Sequence, residues 1–363
     1  MKSKLYILIF IILTALLLFT ACSSENGNQT QMSEEEISQQ EDLSEEDLDE
    51  EIQNIEEEYD ESPEEEDQSE DDYSGVSPFT GLPVTEDHYK RAVAVSVENS
   101  PAARPQSGLT EAELVYEFML EGGITRFLAI YWPEVPEKVG PIRSARPVLV
   151  KTAQAYDALF LHSGASPDGF AILAVNDVLH LDQLYKSKYF WRSSKKNAPH
   201  NLYSGQEPLE NYLDDLSEKE YPEQFNFLTA SVISNFKEAK NISIKYQESY
   251  EVLYEYNSVE NNYLRFLNGK DNRHLVESGE QITAKNIIVQ HVKTSTKDSE
   301  GRQDIDLESG GEMTLFRDGM VIEGSWENDD GKIIYLDDDE NEIEINRGQT
   351  WIQVVPNGTD VSY

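Results

Sequence analysis

Apolar residues recur along this chain with two different periods. Val93, Val95 and Val97 alternate with smaller or polar residues, the period-two pattern of a half-buried strand, and Phe127 to Trp132 forms a second apolar run. Between Pro147 and Leu159 the period changes, with Val148, Lys151, Thr152, Ala155 and Leu159 falling turn by turn as in a helix. Pro147 suits the first turn of that helix, where a missing N–H costs nothing. Ala158 to His162 then predicts another short strand, ended by Ser163-Gly164. This alternation of strand, helix and strand predicts a mixed α/β domain over residues 78–224.

The texture changes further on. From Tyr246 short runs rich in Val, Ile, Tyr and Phe are separated by Asn268-Gly269, Ser309-Gly310-Gly311, Asp318-Gly319, Asp330-Gly331, Asp339 to Asn341 and Arg347-Gly348. Such pairs mark hairpin turns that need positive φ. Asn286 to Gln290 and Gly348 to Ile352 predict core strands. The expected fold class is therefore α+β: the mixed α/β N-terminal domain, a junction at 225–245, a smaller β-rich C-terminal domain at 246–356 and a tail at 357–363. No internal repeat of fixed period appears.

The N-terminus has a third pattern. Lys2 and Lys4 precede an apolar stretch from Leu5 to Phe19, and Phe19-Thr20-Ala21 leads directly into Cys22, the one cysteine of the chain. The apolar stretch has the length of a signal-peptide core and is short for a stable membrane span. Residues 1–21 thus read as a lipoprotein signal peptide and Cys22 as the residue that carries the lipid. The positive charges before the stretch place the remainder of the chain on the outer side of the cell membrane. A lipid on the sole thiol also excludes disulfides, thiolate catalysis and cysteine-bound metals from the mature chain.

Charge adds a fourth segment. Residues 23 to 77 hold 24 Asp or Glu and no Lys or Arg, more than half of the formal net charge of −41. Repulsion and missing apolar mass leave the entropy of ordering uncompensated, so 22–77 reads as the lipidated cysteine followed by an extended acidic tether. Within it, Ser44 and the spacing of Leu48, Ile52, Ile55 and Tyr59 permit a transient helix or a docking helix. Nucleic acid is excluded as a partner for so acidic a molecule. Between Arg91 and His200, however, 12 Lys or Arg face 11 Asp or Glu, so the basic residues of this span have a local use.

Those basic residues stand in Gly- and Pro-rich motifs: Arg104-Pro105-Gln106-Ser107-Gly108, Gly123-Ile124-Thr125-Arg126, Gly140-Pro141-Ile142-Arg143-Ser144-Ala145-Arg146-Pro147 and Ala198-Pro199-His200-Asn201. Arginine's planar fork takes carboxylate or phosphate at two points, and Arg143 and Arg146 precede a helix whose unpaired N–H groups favour an anion. Arg104, Arg126, Arg143, Arg146, His162, His200 and Asn201 are the candidate ligand-binding residues. The competing expectation is structural pairing of these arginines with Glu98, Glu117 or Glu121.

The same segments, with Gly81-Leu82-Pro83, Glu121-Gly122-Gly123-Ile124-Thr125-Arg126, Pro199-His200-Asn201-Leu202-Tyr203, Trp326 and the closing Gly348-Gln349-Thr350-Trp351-Ile352-Gln353-Val354-Val355-Pro356, give a resemblance. From Ser77 to Val355 the chain resembles the YerB-type surface lipoproteins. The resemblance implies an N-terminal and a C-terminal domain in an envelope protein of a Gram-positive cell, and it transfers no catalytic residue.

Enzyme signatures are sparse. Ser193-Ser194-Lys195-Lys196 and Ser234-Asn235-Phe236-Lys237 both match Ser-x-x-Lys, without the motifs that accompany it in penicillin-binding enzymes. His162 and His200 could act with Asp157 as acid and base, against the alternative of histidines hydrogen-bonded in place. Asp337 to Glu340 lacks the spacing of a calcium loop and reads as a solvated hairpin tip. Trp351 is assigned to the core and Trp191 to the surface. No cofactor or metal is expected. The expected function is membrane-anchored binding of a wall polymer or a wall-synthesis protein through an arginine-rich surface; the alternative is an enzyme of envelope polymers, transferring phosphoryl or glycosyl groups at the same cluster.

Overall fold

Alternation in Val93 to Glu98 yields a strand buried on both faces, not on one, because its smaller residues Ala94 and Ser96 also lie under cover. The computed structural model describes residues 75–84, 91–229 and 236–363. The signal segment, Cys22 and the acidic stretch as far as residue 74 lie outside the described residues.

Two large sheets carry the fold. The first part of the chain supplies β1 (Val93–Glu98), β2 (Leu114–Glu121), β3 (Ile124–Tyr131), β4 (Leu159–His162) and β5 (His180–Asp182). Helices α1 (Pro147–Ala155) and α2 (Pro167–Val175) flank β4, and α3 (Gln206–Asp214) follows β5. Next come β6 (Asn241–Gln247), β7 (Tyr250–Asn257), β8 (Asn262–Leu267) and β9 (Asn286–Val292). The chain closes with β10 (Gly311–Arg317), β11 (Met320–Asp329), β12 (Lys332–Asp337) and β13 (Thr350–Pro356).

The larger, eleven-stranded sheet runs from Lys237–Glu238 through β11, β10, β9, β13, β2, β3, β1 and β4 to β5, with β12 also on β11. Its centre joins the two parts of the chain: β13 lies parallel to β9 on one side, with Ile287 opposite Trp351, and parallel to β2 on the other, with Val115 opposite Trp351. The five-stranded sheet is Thr283–Ala284, β8, β7, β6 and Asp360–Ser362. Val95, Val97, Val115, Phe127 and Trp351 on one face of the large sheet pack in a cluster with Ile242, Ile244, Val252 and Tyr263 of the small one. On the opposite face Tyr116, Phe118, Ile288 and Ile352 share a second cluster with Leu149, Val150 and Ala153 of α1 and Leu173 of α2.

A polar network crosses the space between the sheets. Glu117 of β2 and Arg265 of β8 are both fully buried, and Arg265 Nη2 donates to Glu117 Oε2 at 2.7 Å. The Tyr250 hydroxyl and Thr125 Oγ1 donate to Glu117 Oε1 at 2.6 and 2.7 Å. The guanidinium centre stands 4.5 Å from the centroid of the Trp351 ring, and Tyr254 accepts from its Nη1. Burial is the largest influence on Arg265 and works against its charge, but Glu117, Tyr254 and Tyr250 together outweigh it and the pKa is raised. His274 is held well below its ordinary pKa by burial and then by Arg265, so the imidazole is neutral. Its Nδ1 accepts from Arg265 Nε at 3.0 Å, which leaves the proton on Nε2 to be donated to Gln106 Oε1 at 3.1 Å.

The strand-rich, mixed fold agrees with the sequence, with local corrections: β6 begins at Asn241, inside the segment expected as a junction at 225–245, and the expected tail at 357–363 supplies the strand Asp360–Ser362, because its backbone pairs with Ser243 to Lys245. The helix predicted to Leu159 ends at Ala155, because Asp157 takes a left-handed φ of 45° and turns the chain into β4. The boundary placed at residue 77 also moves: Gly75–Val76 pairs with Pro83–Val84, and buried Ser77 donates to Glu113, so the folded body begins by Gly75. The turns at Asp318-Gly319 and Asp330-Gly331 are two-residue hairpins with positive φ at all four positions, 55°, 72°, 51° and 96°. Trp351 is fully buried and Trp191 is 36 % exposed, each where expected.

Glu117→Gln would leave the Arg265 charge without its counter-ion in the interior. It should lower unfolding stability by about 3–5 kcal/mol in denaturant titrations, while the pair Glu117→Gln/Arg265→Met recovers a large part. Unchanged stability in the single variant would show that the pair is dispensable.

Candidate functional site

β1 ends at Glu98, and Arg126 of β3 lies directly across from it in the antiparallel register. The segment Gly140 to Arg146 then crosses this end of the sheet: Glu98 N donates to Pro141 O and Arg143 N to Ser96 O, at 2.8 and 2.9 Å. It continues into α1 with Arg146 as the residue just before the helix. Three arginines separated in sequence are thereby delivered to one place by strand pairing.

Two carboxylates organise them. Arg146 grips Glu121 at two points, Nε to Oε2 at 2.9 Å and Nη2 to Oε1 at 2.6 Å, and Arg126 Nη2 reaches the same Oε1 at 3.2 Å. Arg126 also donates to Ser144 O at 2.7 Å. Glu98 is almost fully buried; its Oε1 accepts from His200 Nδ1 at 2.9 Å and Ser100 Oγ at 2.7 Å, and Arg143 Nε stands 3.5 Å from its Oε2. Burial, then the charge of Arg146, pushes the pKa of Arg126 down to about 10, which leaves it charged at neutral pH. Burial would raise the pKa of Glu121, but the hydrogen bond from Arg146 and the charges of Arg126 and Arg146 bring it below its ordinary value.

Arg143 is the least engaged of the three. Its side chain is 31 % exposed, and its Nε has no hydrogen-bond partner among the described residues. The His200 side chain is exposed to a similar degree, 27 %, and its one hydrogen bond among the described residues is made through Nδ1. Three guanidiniums against two carboxylates leave a positive excess at the rim.

The other candidates lie elsewhere. Arg104 turns to Asn99, donating to its Oδ1 and O at 2.9 Å each, with the Tyr250 ring beneath it, and so borders the interior network. His162 is fully buried, bonded to Gly164 O and to His180 Nδ1, and stacked between Phe160 and His180; burial brings its pKa down to about 4. Asn201 accepts from Arg192 and donates to Ser193 O and Lys196 O, which shapes the loop that carries His200. Asp157 is taken by Arg91 and Lys219, so the acid–base trio with His162 and His200 is not assembled. Lys196 donates to the carbonyls of Ala103 and Pro105, Ser234 lies outside the described residues, and Asp337 is occupied with the backbone of Asp339 and Asn341. The anchoring residues missed as members of the site, Ser100 and Ser144, carry no signal in sequence, since serine beside proline or arginine is common.

The body is thus a strand-rich protein in which two segments share one sheet and arginine-bearing loops gather at its end. Two family models match it: the N-terminal domain of the protein of unknown function DUF3048 over residues 79–220 and the C-terminal domain of the same over 242–352. YerB of Bacillus subtilis (strain 168), named as a lipoprotein, is 35% identical over 289 residues, 77% of this chain and 86% of that one. The crystal structure of YerB protein from Bacillus subtilis superposes with a TM-score of 0.71 at 33% identity, covering 80% of this chain and all of that one. The chain belongs to the DUF3048 family, the YerB-type lipoproteins.

Arg146→Ala would leave Glu121 half-buried with only Arg126. Its melting temperature should fall by the equivalent of about 1–3 kcal/mol near neutral pH. Because the folded pKa of Glu121 lies below its ordinary 4.5, this contribution is present above that value and is lost as pH falls through the depressed one. The gap between variant and parent should therefore close in acid; a gap that persists there would exclude the pairing as its source.

Proposed function

We propose that the chain is a lipid-anchored protein on the outer side of the cell membrane, and that its folded body binds an anionic group of an envelope component or wall-synthesis partner at the arginine cluster. The observation that supports this reading is the excess of Arg126, Arg143 and Arg146 over Glu98 and Glu121, with Arg143 only partly committed to Glu98. A guanidinium held in place by a buried carboxylate has lost much of its rotamer entropy already, so a phosphate or carboxylate binds it at lower cost. Phosphates of wall polymers and carboxylates of wall peptides share this chemistry. Arg126 and Arg146 act as positioning residues, and Arg143 and His200 present the contacts.

A second reading, an enzyme of envelope polymers, draws on one contact. Nδ1 of His200 faces buried Glu98, which fixes the tautomer and turns Nε2 outward, as a general base requires.

Titration of the soluble body with inorganic phosphate, an anionic wall polymer and short carboxylate peptides tests the first reading. Arg143→Ala should weaken binding by about 1.5–3 kcal/mol with little change in melting temperature, and salt should weaken the parent further. Equal binding by parent and variant would remove Arg143 from the site. Turnover of polymer that depends on His200 would favour the enzyme.

Anchoring is tested separately. Cys22→Ala should abolish incorporation of a labelled fatty acid and release the protein from membranes, and continued labelling would refute lipidation at Cys22.

A further inference from the structure

A cavity lies away from the arginine cluster, on the helix-covered face of the large sheet. Its volume is about 490 Å³, inside the range of roughly 300–1,000 Å³ typical of small-molecule sites. The last turn of α1 forms one wall, the β11–β12 hairpin another, and Phe225 closes the side. Tyr116, Tyr335 and Gln290 form its buried floor, from β2, β12 and β9.

The floor has one unmet requirement. Gln290 is fully buried, its Oε1 accepts from the Tyr335 hydroxyl at 2.9 Å, and its Nε2 has no partner among the described residues. If the amide is turned over, the orphan becomes the oxygen, so in either orientation one polar atom of this cavity-lining residue is left unfilled. Beside it the Tyr116 and Tyr156 hydroxyls lie 2.6 Å apart, so one donates to the other. Burial raises the pKa of Tyr116, Tyr156 and Tyr335 well above its ordinary value, so all three remain neutral hydroxyls. An unpaired buried amide costs stability that a ligand can return by supplying the missing partner.

The rim selects against net charge. Lys151 and Glu308 pair at 3.3 Å across the mouth, and Lys332 and Asp330 contribute one charge of each sign. The walls are aromatic, with Phe225 and Tyr335 stacked at 6.4 Å between centroids. Neutral rim, aromatic walls and convergent hydroxyl and amide groups match a ring that carries hydroxyls on its edge and C–H groups on its faces. We propose that this cavity binds a neutral sugar unit, with Gln290 bonded to one of its oxygens and the tyrosine hydroxyls to others.

The test uses the folded chain with glucose and N-acetylglucosamine as probes, in calorimetric titrations and in the amide side-chain NMR signals of Gln290. Saturable binding by either sugar that shifts the Gln290 signal is expected. The pair Gln290→Leu/Tyr335→Phe removes both ends of one hydrogen bond and should leave the melting temperature nearly unchanged while weakening sugar binding about tenfold or more. Tyr156→Phe, which keeps the ring, gives a second reading should the pair fail to fold, and it too should weaken binding. Arg143→Ala should leave sugar binding intact, so failure of the anion site and failure of this one are separable. No saturation up to tens of millimolar of either sugar, or equal affinity in parent and folded variants, would overturn the proposal.

Discussion

The ion pair between Glu117 and Arg265 is the constraint on which the arrangement of this molecule depends. Glu117 belongs to a strand early in the chain and Arg265 to a strand of the second sheet, 148 residues later, and neither has any exposure. Taking two charges out of water costs several kcal/mol each, and close geometry repays that only when the remaining donors and acceptors are also filled. Here they are filled from both sheets: Thr125 and Tyr250 on the carboxylate, Tyr254 and His274 on the guanidinium, with the Trp351 ring beneath. A sliding or tilting of one sheet on the other would break several of these bonds at once. The apolar residues around the network supply the driving force for packing, but apolar contact tolerates displacement and a charged network does not.

The same constraint explains why the two halves of the chain behave as one body. β13, near the C-terminus, is the strand that separates β2 from β9, and Trp351 on it lies under Arg265. β13 thus satisfies backbone groups of an N-terminal strand, contributes an aromatic ring to the charged network, and continues the apolar face toward both clusters. The arginine cluster stands at the end of this sheet, on β1, β2 and β3 and the segment that crosses them, so its geometry inherits the rigidity of the pairing below it.

How much of this the sequence disclosed depends on the range of the interaction. Positive φ is a local demand, and Asp318-Gly319 and Asp330-Gly331 satisfied it visibly. Alternation along Val93 to Val97 and the Pro147 helix start are likewise set within a few residues. The parallel insertion of Thr350–Pro356 between two strands far away in sequence has no local signature, because an apolar run shows burial and not its neighbours. The arginine motifs stood out by composition, and Glu98 and Glu121 were nameable as partners. Glu117 was named with them, yet its partner Arg265 sits in an unremarkable Tyr263 to Leu267 strand. His162 illustrates the converse: a histidine at a strand end looks available, and only the stacking of Phe160 and His180 shows that it is enclosed.

The anion recognition proposed for the arginine cluster would have to be short-ranged. Residues 78–363 carry a formal charge of about −19, so within about a screening length of its surface the body as a whole repels the very groups that its arginines would hold, and beyond that length it neither attracts nor repels them. Attraction takes over only where low dielectric and direct hydrogen bonding make a guanidinium stronger than the distant field, and that is the situation of Arg143 beside buried Glu98. Such a site gains little from electrostatic steering and much from being held near its ligand. Under the proposed anchoring at Cys22, the chain between lipid and body would supply that proximity, setting an effective concentration by its length. On that reading the repulsive field and the anchor would work together: the first would reject casual anions in solution, and the second would keep the arginine cluster within reach of those fixed at the envelope.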